Sequence, residues 1–233
     1  MITLERIHRV MTFFAHPDDE TLAAGATLSR LARVGVDIHV AIPATGVHSR
    51  RRKQGERMRD RKLIQLRRDC KKAMDILGVG AGQVYFGEFP DNEMDRHSLL
   101  EVVQWLENVI EKINPDVLLT HHRYCTNIDH RYCHEAAVIA ARSTIHRHSS
   151  ILCGEVPGST GCLRPAQWDP NLYVEVSRED LERKVKAMKA YRGEARQDPH
   201  PRSTEVLKAL AKVRGSEAGF HFAEAFMIQR IFA

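Results

Sequence analysis

An α/β fold built on a largely parallel sheet is predicted by three features of the 233-residue sequence. Short runs of β-branched and aromatic residues recur along the chain, and stretches with apolar residues at three- and four-residue steps separate them. Clusters of His and carboxylates follow the first and fourth runs, where an open α/β sheet binds its ligands. In chain order the expected strands are 9–15, 37–42, 83–86, 116–121, 151–156, 172–176 and 225–231. A helix of small and apolar residues follows the first loop. Leu63, Leu66, Cys70, Ala73 and Leu77 form one face of the next, stopped by Gly78. Leu99, Val103, Leu106, Ile110 and Ile113 form another, ended ahead of Pro115. Ser177 is placed to cap a helix over 178–191, with Gly193 beyond it. Segments 46–55 and 157–170 are rich in Gly, Ser, Pro or charge and are expected to be loops covering a site. No repeat or flexible linker divides the chain, so residues 1–233 are read as one domain.

Composition narrows the functional classes. Hydrophobic residues make up 43% and charged residues 28%, a globular balance, and no apolar run is long enough to span a bilayer. The first residues carry Glu5 where a secretion signal would be basic and then apolar, so the cytoplasm is expected. Five cysteines without a Cys-x-x-Cys pair suit a reducing compartment and argue against a zinc ribbon. Segment 50–72 holds twelve Lys/Arg against Glu56, Asp60 and Asp69, about +9 locally, which leaves about −4 for the rest of a chain of net charge +5. It reads either as a solvated helix face with a basic loop before it or as a landing strip for an anionic partner. Nucleic acid is disfavoured, because aromatic residues are only 6% and no recognition motif accompanies the run.

The first expected strand runs into Ala15-His16-Pro17-Asp18-Asp19-Glu20. Pro17 fixes its own φ and restrains His16, and adjacent carboxylates on a tight turn point different ways. After the fourth strand comes His121-His122-Arg123-Tyr124-Cys125-Thr126-Asn127-Ile128-Asp129-His130. Two His and one carboxylate with an open fourth position recur in catalytic zinc sites; His16, Asp19 and His130 would supply them and leave Asp18 beside the open side. Helix capping alone would account for the acids at 18–20, but not for the His-Pro before them or the second His cluster. His121 and His122 straddle a strand end, so one packs inward and one can face the site. His134, four residues after His130, is expected to support rather than ligate. His221, between Phe220 and Phe222, reads as a packed side chain or an oxyanion donor.

These residues resemble the PIG-L/LmbE-like N-deacetylases, a zinc-dependent family related to N-acetylglucosaminyl-phosphatidylinositol de-N-acetylase. The resemblance rests on AHPDDE at 15–20, LGV at 77–79, FPDNEMD at 89–95, NIDHRYCHEAA at 127–137 and RGSEAGFHFAEAF at 214–226. It implies a Rossmann-like three-layer fold, one Zn2+ per chain, and hydrolysis of an N-acyl group, acetyl in the first instance, from an amino sugar, sugar conjugate or related small molecule. It carries over His16, Asp19 and His130 as metal ligands, Asp18 as general base, and Asp91 as a carboxylate for substrate hydroxyls. The chain departs from the family pattern at Asn127, where many members have His, at Cys125, where some have Tyr (here Tyr124 is adjacent), and at Leu66, where some have Arg. Asn127 can hydrogen-bond to substrate but cannot shuttle a proton, and Tyr124 or His221 would join it as oxyanion donors. Iron or another divalent ion suits the same ligands. Arg50, Arg51 and Arg52 suggest an anionic substrate such as a nucleotide sugar or phospho-sugar. Two other readings stand beside this one: an amidase acting on a thiol conjugate or secondary metabolite through the same site, and a non-catalytic metal- or anion-binding protein using segment 50–72. No membrane partner is expected, and monomer and homo-oligomer are both left open.

Overall fold

The computed structural model describes residues 7–46, 56–142 and 149–232. Within them one sheet contains β1 (Arg9–Phe13), β2 (Asp37–Ala44), β3 (Val84–Phe89), β4 (Val117–His121), β5 (Ser150–Gly154), β6 (Leu172–Glu175) and β7 (Ala223–Arg230). Each strand falls on an expected run, with its ends moved by up to three residues. The order is β3-β2-β1-β4-β5-β7-β6. The first five strands are parallel, and β7 runs antiparallel between β5 and β6. The helices are α1 (Asp19–Arg33), α2 (Glu56–Leu77), α3 (Leu99–Ile113), α4 (Ile128–Ala140), α5 (Arg178–Ala190) and α6 (Thr204–Ala218).

Two apolar cores make this a three-layer, Rossmann-like sandwich. Val10, Val117 and Leu119 face one core, with Leu28 of α1, Met74 of α2, Met188 of α5 and Leu207 of α6. Met11, Phe13 and Leu118 face the other, with Leu106 of α3 and Ala136 of α4. Burial on both faces explains why β1 and β4 read as continuous hydrophobic runs rather than alternating ones. The strand order reverses at β1: the chain runs outward from it through β2 to β3, then crosses back to place β4 on its other side. At such a reversal the loops beyond the two strands part and leave a crevice. No described helix is long and apolar enough to cross a membrane.

Local chemistry sets the helix ends. Ser98 and Glu101 form a reciprocal capping box on α3, and Asn114, left-handed at φ 51°, closes it before Pro115. Ser177 and Asp180 repeat the box on α5. Helix α6, which the sequence reading leaves unplaced, starts at the Ser203 cap and ends at Gly219. Its Ser and Gly signals are present, but a small-residue face gives it a weak apolar stripe.

Helix α1, which begins at the crevice, is fastened from beneath by a buried ion pair. Lys184 Nζ lies 2.6 Å from Glu224 Oε1, and each side chain is 5% exposed. Glu224 also accepts the backbone N–H groups of Ala26 and Thr27, at 3.1 and 2.7 Å, while Lys184 donates to the Leu22 carbonyl at 2.7 Å. Gly25 leaves room for this, since a Cβ there would stand 3.0 Å from Lys184 Cγ. Lys184→Met strands a buried carboxylate and is expected to cost about 3–5 kcal/mol. Urea unfolding of the variant measures this, and a loss below about 1 kcal/mol would contradict the assignment.

Candidate metal centre and active site

The loop after β1 sends its two adjacent carboxylates in opposite directions. Asp18 has φ 117°, a left-handed conformation that costs a non-glycine residue about 1–3 kcal/mol. Its side chain makes no cap to α1. Asp19, the first residue of α1, turns Oδ2 toward His16 Nδ1 and His130 Nε2, each at 3.1 Å, with His121 Nε2 at 3.6 Å. Asp18 instead turns toward Arg202, whose Nη1 is 3.1 Å from its Oδ2. That approach is off the line of a hydrogen bond, so Asp18 Oδ2 is ion-paired yet accepts no hydrogen bond from a described residue.

His130 comes from the first turn of α4, one strand away. Asn127 caps that helix, its Oδ1 accepting the Asp129 N–H at 2.8 Å. Ser159 Oγ stands 3.3 Å from His130 Nδ1, a contact that leaves Nε2 facing Asp19. The His16 and His130 ring centroids are 5.4 Å apart. One donor atom each from His16, Asp19 and His130 lies within 4.8 Å of the others. The expected convergence of two distant loops is met.

Two further sets meet the same distance: His121, Cys125 and His130, and His16, Asp91 and Asp129. Each of these sets has at least one donor engaged elsewhere. His121 Nε2 accepts the Ala15 N–H at 2.8 Å, and its ring stacks on His130 at 3.8 Å and 14°. Nearly parallel rings direct their nitrogen lone pairs side by side rather than at one point. The Cys125 thiol, pushed up to about 11 by burial, lies 3.3 Å from Thr160 Oγ1. Asp129 accepts the backbone N–H groups of Asn92 and Met94, at 2.6 and 3.2 Å, and so ties the 91–94 turn to α4. His16, Asp19 and His130 all line one cavity of about 360 Å³, whereas His121, Cys125 and Asp129 do not. The donor chemistry of this trio, two imidazoles and one carboxylate, fits a single divalent ion.

Electrostatics separate the two aspartates. Burial would raise the Asp19 carboxyl, but His130 and then His16 hold it well below the ordinary range. Burial raises Asp18 well above that range; Arg202 opposes the shift, and Asp19, Glu194 and Glu20 add to it. The two neighbours are therefore shifted in opposite directions, Asp19 toward its anion and Asp18 toward its protonated form.

The other expected residues have mixed fates. Asp91 lines the cavity with Oδ1 3.0 Å from His16 Nε2. Asn127 lines it too, though its side chain is held by the helix cap and by Asn92 Oδ1 at 2.8 Å. Leu66 forms an apolar part of the wall beside Gly46. A Cβ on Gly46 would meet Leu66 at 2.8 Å and Pro17 at 3.0 Å, so the bare backbone is required there. Neither His121 nor His122 faces the cavity: the first packs beneath His130, and the second turns to Trp168 and Tyr124. His134 holds the His121 carbonyl at 2.9 Å, a supporting position. Tyr124 and His221 are corrected as oxyanion donors. Tyr124 lies against Arg123 and Arg164, His221 is exposed in the turn before β7, and neither lines the cavity. Arg50, Arg51 and Arg52 lie outside the described residues. The opposite wall, which the sequence reading missed, comes from the loop between α5 and α6 and includes Glu194, Arg196, His200 and Arg202.

Fold and site together define a Rossmann-like α/β protein with a His-Asp-His donor set at the sheet's reversal point. A family model described as PIG-L: GlcNAc-PI de-N-acetylase matches residues 11–141, more than half of the chain. The chain belongs to that family. Diacetylchitobiose deacetylase of Thermococcus kodakarensis is 24% identical over 226 residues, 94% of this chain and 82% of that protein. Among solved structures, N,N′-diacetylchitobiose deacetylase from Pyrococcus horikoshii superposes with a TM-score of 0.78 at 20% identity, covering 97% of this chain and 85% of its own. GalB of Pseudomonas putida, a 4-carboxy-2-hydroxymuconate hydratase, superposes at 0.75 with 18% identity, covering 97% and 98%. The same fold therefore carries more than one reaction, and function must be argued from the site.

Proposed function

We propose that this chain is a zinc-dependent deacetylase that hydrolyses an N-acyl group, acetyl in the first instance, from an amino sugar or sugar conjugate, and that residues 1–233 act as one catalytic unit. The observation that carries this reading is the divergence of Asp18 and Asp19 at one cavity: one carboxylate joins two imidazoles, and its neighbour stays on the open side. His16, Asp19 and His130 would hold the ion, which supplies Lewis acidity to the acyl carbonyl and lowers the pKa of a water toward about 7 when bound. Asp18 takes the proton of the attacking water and later gives it to the departing nitrogen. Burial raises its carboxyl above the ordinary range, the direction that suits a group which must both accept and release a proton. Asp91 accepts a substrate hydroxyl, and Asn127 shapes the same wall. Arg196, exposed at the cavity and with no carboxylate within 4 Å among the described residues, gives an anionic substituent such as a sugar phosphate a place to bind.

An acetate-release screen over N-acetylated sugars, phospho-sugars and nucleotide sugars, with metal analysis of the same preparation, tests the reading. Equal amounts of acetate and free amine are expected, abolished by a chelator and restored by Zn2+. Cleavage of a thiol-conjugate amide with no acetate from any sugar would favour the amidase reading instead.

A further inference from the structure

Amide hydrolysis builds negative charge on the carbonyl oxygen, and a donor aimed at that charge is usually the largest single catalytic contribution. The positions where the family pattern would supply one are spent or altered in this chain. The Asn127 amide is held by Asn92, and Cys125 is buried against Thr160 outside the cavity lining.

Arg202 fills the gap from a different element. It lines the cavity directly beside Asp18, in the same lining as His16, Asp19 and His130. Nη1 donates to Glu194 Oε2 at 2.6 Å, while Nε and Nη2 donate to no described residue. The side chain is 29% exposed, so those donors are neither sealed in the core nor loose in solvent. Its backbone is fixed on both sides. The Arg202 N–H donates to His200 Nδ1 at 3.1 Å, and Ser203 caps α6. Pro201 packs so closely on the 156–160 loop that a Cβ on Gly158 would meet it at 2.8 Å. A delocalised guanidinium with unused N–H groups is held next to the proposed base, on the cavity that a substrate carbonyl would enter.

We propose that Arg202 is a catalytic residue that donates N–H to the oxyanion of the tetrahedral intermediate, with Glu194 as the positioning residue that orients it. This rests on the hydrolytic reading above. In the first step a water O–H bond breaks, its proton passes to Asp18, the C–O bond forms, and the carbonyl π pair moves to the oxygen that Arg202 receives. In the second step that pair re-forms the carbonyl, the C–N bond breaks, and nitrogen takes the proton from Asp18, releasing carboxylic acid and free amine.

The test compares wild type, Arg202→Ala and Glu194→Gln on N-acetylglucosamine and its 6-phosphate. It also measures binding of the methylphosphonamide of glucosamine, whose tetrahedral anionic phosphorus copies the intermediate. Arg202→Ala is expected to lower kcat about 10²–10³-fold and to weaken analogue binding by a similar factor. Metal content and the KM for the neutral sugar stay near wild type, added guanidinium restores part of the rate, and Glu194→Gln shows the same pattern more weakly. A rise in KM confined to the phosphorylated sugar, with kcat intact, would show that Arg202 reads a substrate anion and would overturn the proposal. So would a lower melting temperature with unchanged kcat and analogue affinity. If wild type released no acetate, the hydrolytic reading would fail on that result alone; the loss or retention of analogue affinity in Arg202→Ala would still decide the Arg202 contact.

Discussion

Asp18→Asn is expected to lower kcat by about 10²–10⁴-fold while leaving metal content at the wild-type level. The substitution keeps shape and removes charge, and Asn tolerates the left-handed backbone at φ 117° better than most residues. Asp18 is not among the donors closest to His16 and His130, so the ion should stay. Burial raises the Asp18 pKa, Arg202 opposes that rise, and Asp19, Glu194 and Glu20 add to it. Removing that charge should therefore not lower stability, a trade-off found where a site is built for chemistry rather than for rigidity. Parallel measurement of kcat, metal content and thermal unfolding checks all three parts. Retention of most of the rate on a true substrate would show that another group takes the proton.

Asp19→Ala should have the opposite profile: loss of the ion first, and loss of activity as its consequence. Asp19 Oδ2 is the one atom within 3.1 Å of both His16 and His130, and it also accepts the His16 backbone N–H at 3.1 Å. Without it the two imidazoles remain, but no carboxylate bridges them, and the His16 backbone N–H loses its acceptor. Zinc affinity is expected to fall by more than the roughly 10–100-fold typical of residues that only orient ligands. Competition with a chelating dye measures this directly. Wild-type affinity in Asp19→Ala would remove Asp19 from the ligand set.

Comparing these two aspartates shows what a sequence carries and what it does not. The Pro17 restraint and the adjacency of Asp18 and Asp19 imply that the two carboxylates diverge, and they do. Strands β1 and β4 were legible because parallel strands buried on both faces leave continuous apolar runs. The insertion of β7 between β5 and β6 was not, since strand neighbours in a sheet depend on pairings that local pattern does not encode. Asn127 was legible as a polar residue facing the site, but its service as the cap of α4 took the helix start to reveal. Arg202 left no usable signal. It sits in a loop without periodicity, among Arg192, Arg196 and His200, and a basic loop residue usually means only solvation. Its position beside Asp18 follows from α5 packing against α1, which brings the loop after α5 over the start of α1. His221 erred in the other direction: flanking Phe residues suggested burial or a site, and the turn before β7 exposes it.

The central claim is that one divalent ion sits on His16, Asp19 and His130 rather than on either competing donor set. Crystals grown with Zn2+ and measured on both sides of the zinc absorption edge test it most directly. The account predicts one anomalous peak per chain, about 2.0–2.2 Å from a nitrogen of His16, a nitrogen of His130 and an oxygen of Asp19. A peak on His121, Cys125 and His130, or on His16, Asp91 and Asp129, would contradict it.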